Sequence, residues 1–568
     1  MVSVLLIWVF LFITTFFCGA AFFCILSGKE SSDTSLKLLQ PEDHCFFGIM
    51  LSTVYAQIFS LFYKVGLAAD ILLLILTAAA VFFLIRSGRL KSSLFGFPSE
   101  RKKRLSAAAL ICFLVLIVSY GTSRGYFHYD SNLYHGQSIR WIEEFGAVKG
   151  LALLHVRLGY NSSSFALSAL YSFSFLGIRS FHTVQGFLAL LLLIKCLRVF
   201  HIFSDKEIRI SDFARLGGFY YIFNIYDELV APASDYFTMI AFIFCMIKAL
   251  DIYEQCEKDK SLCSEETYVF PALLCVFIPT LKLSAAPAVI LILVPVYMLI
   301  KNKKAKRLLF YAGLSLIISL PLFIRNYLLS GRLLYPSTAL DLFDPAWKVP
   351  AGVTNLDADF IAAFGKGYNY AEAAHYPFSQ WFPHWLSTLG KSDLIIVIIC
   401  LTSILILPLS IVLRKAFKIL HMIEITAISA FLFWLIASPL VRYGMGFLLL
   451  LPPLMFGDLA DILIKKSPKS RSVGSLIRRC FPVLLILFLS YKCFATVKYI
   501  CSCLDAPYYL LQRDYDDFDC YTVDIDGLDV YMPLEGNQTG YYCFPGTPEM
   551  VEGLHLAGDD LKEGFILR

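Results

Sequence analysis

"LSAAALICFLVLIVSYGTSRGYFHYDSNLYHGQSIRWIEEFG", residues 105–146, changes character half-way along. Residues 105–121 are apolar throughout and long enough to cross a bilayer as a helix, for which roughly 17–25 residues are needed. Within about six turns' worth of chain after that, His128, Asp130, His135, Arg140, Glu143 and Glu144 follow one another. A segment that leaves lipid and at once becomes rich in titratable groups places those groups at a membrane margin. The chain reads as an integral membrane protein whose chemistry lies beside the bilayer.

The rest of the sequence carries the same reading. The chain has 568 residues, 58% of them hydrophobic and 16% charged, with a mean hydropathy of +0.67. Its apolar residues fall in long runs, the mark of a polytopic membrane protein. About fourteen runs are expected to span: 4–26, 46–63, 67–86, 105–121, 181–200, 213–226, 232–253, 268–280, 283–300, 308–328, 393–413, 421–438, 441–463 and 480–500. The first is read as a helix and not as a cleaved leader, because no basic n-region precedes it and no small-residue cleavage site follows.

Orientation follows from Lys and Arg in the loops, not from the net charge of +5. Arg86, Arg89, Lys91 and Arg101 to Arg104 face one acid, Glu100; Lys301, Lys303, Lys304, Lys306 and Arg307 form a second cluster, and 414–418 and 465–479 two more. These mark the cytoplasmic side. The acidic loop 254–267 is the exception, and it is placed by helix counting. The same counting puts 122–180, 227–231, 329–392 and 501–568 on the outer face. The chain then divides into N-terminal accessory helices with a basic loop (1–104), a transmembrane core (105–500) with two long outer loops, and a small outer domain (501–568). The last has three basic residues against fourteen acidic ones, and its Asp526-Gly527 turn and alternating pieces predict a β-rich fold.

In the first outer loop, 131–145 and the apolar "FALSALYSFSFLG" are expected to be interfacial helices. In the second, Trp381 and Trp385 read as interfacial anchors. Sixteen cysteines are scattered without metal spacing, and Cys520 and Cys543 in the tail are left open between a disulfide and two thiols. No Walker, Rossmann or HExxH motif is present.

Asp130 is the leading candidate for chemistry. A carboxylate at a dry margin has a raised pKa, which suits a general base; the competing reading is that it caps the helix beginning at Ser131. Lys282, Arg325 with Asn326, and Arg442 stand at outer helix ends on the same side, where positive charge is costly. Arginine suits bidentate contact with phosphate and lysine acts as a point charge; snorkelling to headgroups is the competing reading. His155, Arg157 and Asn161 form a further polar cluster in the same loop, and His135 flanks Asp130. Asp227, Glu228 and Asp235 read as a solvated turn.

Taken in order, "YDSNLYHGQSIRWIEEFG" (129–146), "LKLSAAPAVILIL" (281–293), "LPLFIRNYLLSGRLLYP" (320–336) and "VRYGMGFLLLLPPLMFGDLA" (441–460) resemble the landmarks of the GT-C superfamily of membrane glycosyltransferases, across roughly residues 105–465. The resemblance implies an all-α polytopic fold with a GT-C-like core. It implies a catalytic acid in the first large outer loop, here Asp130, and substrate-binding residues at His135, His155, Arg157, Lys282, Arg325, Asn326 and Arg442. It further implies a polyprenyl-phosphate-linked sugar donor, a glycan, lipid or protein acceptor, and inversion at the anomeric carbon. Many members carry a second acid beside the first, whereas Asp130 is followed by Ser131 and Asn132; no metal ligand is assigned, and a divalent cation is left open. The whole chain also resembles bacterial multi-spanning proteins with a "YDxxLYHxQxIxW" loop, which implies the bacterial inner membrane. No nucleic-acid partner is expected. Two other functions compete: an O-antigen-type polymerase, and a flippase or carrier of lipid-linked saccharides, for which charges near the bilayer midplane and internal repeats are the usual signs.

Overall fold

The structure is a computed structural model that describes residues 1–26, 38–90, 101–466, 473–503 and 508–568, with backbone alone for 101–104. Most of the basic segment 86–104, and residues 467–472 of the 465–479 cluster, lie outside the described residues. The chain is 72% helical. Among the described residues eleven helices are long and apolar enough to cross a membrane, which makes this a multi-pass integral membrane protein.

The count of fourteen spans is not met. Segments 46–63, 213–226 and 268–280 are largely helical, overlapping Pro41–Ser60, Ile210–Asn224 and Glu265–Leu281. The second and third have only 15 and 17 residues, and the first opens on Glu42, Asp43 and His44. All three are packed inside the bundle, where short or charged helices are tolerated because protein, not lipid, surrounds them. At the centre stands Ser234–Lys258, 94% of whose apolar window is buried. Leu67–Arg86, Ala305–Ser330, Lys391–Arg414 and Val473–Ser502 form the periphery, with 17–28% buried.

The four segments expected on the outer face meet at one end of the bundle. Tyr126 N donates to Asp227 O at 2.9 Å, and Gly150 N to Leu328 O at 2.9 Å. Gly125 allows the first of these contacts: a Cβ there would stand 2.5 Å from Asp227 O. The tail forms two antiparallel pairs, β1 (Cys520–Ile525) with β2 (Leu528–Pro533) and β3 (Leu554–Leu556) with β4 (Phe565–Leu567). Asp526 and Gly527 join β1 to β2 with φ of 52° and 85°, the two positive values that a type I′ hairpin turn requires. Cys520 and Cys543 are both free thiols.

The tail folds down over the first outer loop. Gln137 Nε2 donates to Gly540 O and Cys543 O, each at 2.9 Å, and Gly540 N donates to Asn132 O at 2.9 Å. Arg140 lies 4.5 Å from the Phe544 ring centroid, and Trp141, fully buried, packs at a tilt with its ring centroid 4.8 Å from the same ring. The helix Gly136–Glu144 is therefore roofed by the tail, and Ser163–Leu170 is buried along its whole length. Neither presents a free apolar face to lipid on those sides. Trp381 and Trp385 depart further from expectation: both are buried, and Trp385 Nε1 donates to Pro439 O at 2.9 Å, so they pack protein against protein.

Candidate functional site

Asp130 leads into a single π-helical turn, Ser131–His135, that continues as the α-helix Gly136–Glu144. One extra residue per turn widens the helix locally, and such turns recur where a side chain must be re-aimed. Asp130 makes no side-chain cap bond. The capping role is thereby removed, and its carboxylate turns to Arg442 instead, with Arg442 Nη2 donating to Oδ2 at 2.7 Å.

Arg442 stands in the first turn of Val441–Lys466. Gly444 seats that turn: a Cβ there would lie 2.4 Å from the Trp434 ring. The guanidinium also donates from Nη1 to His128 Nδ1 at 2.8 Å. Because His128 Nδ1 accepts from the Asp130 backbone N–H as well, at 3.1 Å, that nitrogen carries no proton. Burial and the neighbouring guanidinium both push His128 below the usual histidine range, in agreement with a neutral ring. Arg442 Nε lies 4.0 Å from Asp235 Oδ2, is buried, and has no hydrogen-bond partner.

Asp235 belongs to the first turn of Ser234–Lys258, where the helix dipole favours an acid. It accepts a hydrogen bond from Lys282 Nζ. Lys282 is in extended conformation at the break between Glu265–Leu281 and the 3₁₀ segment Leu283–Ile292, so its side chain leaves the helix surface. Pro287 inside that 3₁₀ segment lacks an N–H and cannot continue a regular α-helical ladder. Lys282 Nζ sits 3.9 Å from the Tyr443 ring centroid, and the Arg442 guanidinium 5.1 Å from the same ring.

The result is one chain of alternating charge, Asp130, Arg442, Asp235, Lys282, delivered by four different parts of the sequence. Its members are part-exposed: the side chains of Asp130, Arg442 and Lys282 keep 18%, 26% and 27% of their surface. The expectation of a raised pKa at Asp130 is not met. Burial does push its carboxyl up, but the Arg442 guanidinium wins and holds it below the usual carboxylate range. Asp130 is fully ionised at neutral pH.

Of the other expected residues, His135 sits behind Asp130, its Nδ1 3.4 Å from Ser131 Oγ, and burial lowers its pKa to about 3. Arg157 is engaged outside the cluster: it pairs with Asp357 at 2.9 Å, and Tyr160 O–H donates to the same carboxylate at 2.5 Å. His155 is buried beside Arg157 with its pKa lowered to about 3 by burial and then by that charge. Arg325 and Asn326 are not in the cluster. Arg325 is 2% exposed and donates from Nε to Asn161 Oδ1 at 3.0 Å and from Nη1 to Ser60 Oγ; Asn326 Nδ2 donates to Leu333 O at 2.9 Å.

Asp235 and His128 belong to the cluster although neither is among the expected catalytic or substrate-binding residues. Asp235 had one usable signal: an acid in the first turn of a central, otherwise apolar helix has no water to lean on and needs a cation. On the far flank of Gly136–Glu144 a cleft of about 450 Å³ is lined by Lys64, Glu143, Glu144 and Tyr541, apart from Asp130. Among the described residues no three His, Cys, Asp or Glu side chains converge in a way that would hold a metal ion.

No curated protein and no solved structure matches this chain. A family model described as "Domain of unknown function (DUF8201)" matches residues 1–449, a stretch that contains Asp130, Asp235, Lys282 and Arg442. With more than three quarters of its length inside that match, the chain belongs to the DUF8201 family.

Proposed function

We propose that the protein is an inverting membrane glycosyltransferase with a GT-C-like core, which moves a sugar from a polyprenyl-phosphate donor to an acceptor hydroxyl on a glycan, lipid or protein at the extracytoplasmic face of a bacterial inner membrane. The observation that carries this reading is the pairing of one part-exposed carboxylate, Asp130, with a guanidinium whose Nε–H has no partner, at the end of the bundle where the expected outer loops gather. A polyprenyl-linked donor keeps its reactive bond at that depth.

In the reaction the acceptor oxygen bonds to the anomeric carbon while the bond from that carbon to the phosphate oxygen breaks, and the electron pair leaves with the phosphate. The proton goes to Asp130 Oδ. Arg442 and Lys282 receive the departing charge, the placement from which electrostatic stabilisation is largest. An ionised Asp130 held by Arg442 is a weak base on its own. A phosphate that takes up part of the guanidinium's hydrogen bonding returns basicity to the carboxylate, so the base strengthens when the donor is in place. His128, neutral and accepting from Arg442, keeps the guanidinium plane oriented through this exchange.

The test is mass spectrometry of cell-surface glycans and lipid-linked intermediates from a host with and without the gene. Loss of one sugar supports the transferase. Shortened chains would indicate a polymerase in its place, and an intact lipid-linked glycan accumulating on the cytoplasmic side a flippase.

A further inference from the structure

Arg325 poses a separate problem. Its guanidinium is 98% buried near the outer end of Ala305–Ser330, and among the described residues no carboxylate pairs with it. Its two hydrogen-bond partners, Asn161 Oδ1 and Ser60 Oγ, are neutral. A buried charge without a partner is strongly unfavourable, by several kcal/mol even after relaxation. The C-terminal dipole of its own helix supplies only a partial opposite charge that fades within the last turn, and Arg325 stands five residues before the helix end at Ser330.

Arg325 lines a cavity of about 10 Å³ together with Ser138, Trp141 and Asn161, closed by Leu158 and Phe165. Two of those side chains also lack partners: Trp141 Nε1 and Ser138 Oγ are buried and make no hydrogen bond. Trp141 is fully buried and Ser138 93% buried. An indole N–H can only donate and a guanidinium can only donate. The space is thus a donor-lined void beside an uncompensated positive charge, with room for one water-sized particle, for which a cavity of roughly 10–15 Å³ suffices. A phosphate group does not fit.

We infer that this cavity is a binding site for a single small monovalent anion of the halide class, which neutralises Arg325 and accepts from Trp141 Nε1 and Ser138 Oγ. The anion ties the first outer loop, through Ser138 and Trp141, to helix 305–330, and through Arg325 and Ser60 to helix 41–60. A water molecule satisfies the donors but leaves the charge, which is why the anion is chosen over it. The site stands apart from Asp130 and does not depend on the transferase reading.

The test is the thermal midpoint of the full-length protein in detergent after dialysis into sodium gluconate, followed by titration with sodium chloride or bromide at constant ionic strength. A ligand that binds only the folded state raises the midpoint saturably. The wild type is expected to do so, and Trp141→Phe, which keeps the ring and removes one charge-assisted hydrogen bond, to need about tenfold more halide for half the effect. Arg325→Gln should abolish the response; if that variant does not fold, Trp141→Phe and Ser138→Ala carry the test. A midpoint indifferent to halide in the wild type, or a halide response unchanged in Trp141→Phe, would overturn the inference and leave a buried water at most.

Discussion

Two of the ionic clusters among the described residues stand at opposite ends of the bundle, and they are built on opposite terms. Toward the predicted cytoplasmic end, Asp43 takes Lys195 at 3.0 Å on one oxygen and Lys248 at 2.6 Å on the other. Asp251 takes Lys195 at 3.4 Å and also Arg215, which pairs with Asp212 at 2.7 Å. Lys195, Lys248, Arg215, Asp43 and Asp212 have side chains no more than 2% exposed. Lys248 spends a further proton on Leu38 O at 2.7 Å, and Arg215 another on Ser211 Oγ at 2.8 Å. This cluster is closed, every charge answered from inside the protein. The outer cluster has the same alternation but keeps surface on Asp130, Arg442 and Lys282 and leaves Arg442 Nε unanswered. Closure suits a cluster that holds helices together; the part-exposed surface of the outer cluster is what the proposed donor contact uses. The inner cluster lies within helices, as carriers arrange their charges, yet its saturation leaves no group to bind a passing headgroup.

Breaking the inner cluster should have the largest effect. Asp43→Asn leaves Lys195 and Lys248 without their shared carboxylate, a loss of about 3–5 kcal/mol for a buried pair. The expected outcome is little or no folded protein, read as a collapse of monodisperse yield and thermal midpoint in detergent. A well-folded Asp43→Asn protein would show that the contrast between the ends is only geometric.

A smaller effect sharpens the comparison through pH. Burial, the largest cause in each case, lowers His128, His135 and His155 of the outer loop, the last two to about 3. In the unfolded chain these groups protonate near 6.5. The unfolded state therefore binds more protons in the window between, and stability is full above about pH 6.5 and declines as pH falls through it. Asp130 acts in the same direction at lower pH: its lowered pKa stabilises the fold above the ordinary carboxylate value of about 4 and is lost beneath it. Unfolding midpoints measured from pH 7.5 to 5 should fall, and a flat profile would mean that the outer histidines are not buried neutral.

The sequence made much of this legible and left the rest hidden for physical reasons. Apolar runs named the helices, because length in lipid is a local property. Asp130, Lys282 and Arg442, drawn from three separate segments, do meet. Partners were harder to see. Asp235 looked like part of a solvated turn because nothing in its own neighbourhood shows the cation that crosses from Lys282. The acidic loop 254–267 resisted the charge rule because its acids are neutralised by distant loops: Glu257 by Lys418 at 2.7 Å, Glu265 by Lys304 and Glu266 by Arg307. Arg325 looked like its neighbours at helix ends, and only packing shows it sealed under the outer loop. The sign of the Asp130 pKa shift was missed for the same reason, since burial was readable from position and the guanidinium 312 residues away was not.

The most direct measurement is transfer by purified Asp130→Asn, with the sugar donor identified by the glycan comparison and the fold checked by thermal midpoint. Asn keeps the size and one acceptor for Arg442 but cannot take the proton. Turnover should drop by about 10²–10⁴-fold while donor binding and the midpoint stay close to wild type. Transfer near the wild-type rate from a folded Asp130→Asn protein would contradict the account and take Asp130 out of the mechanism.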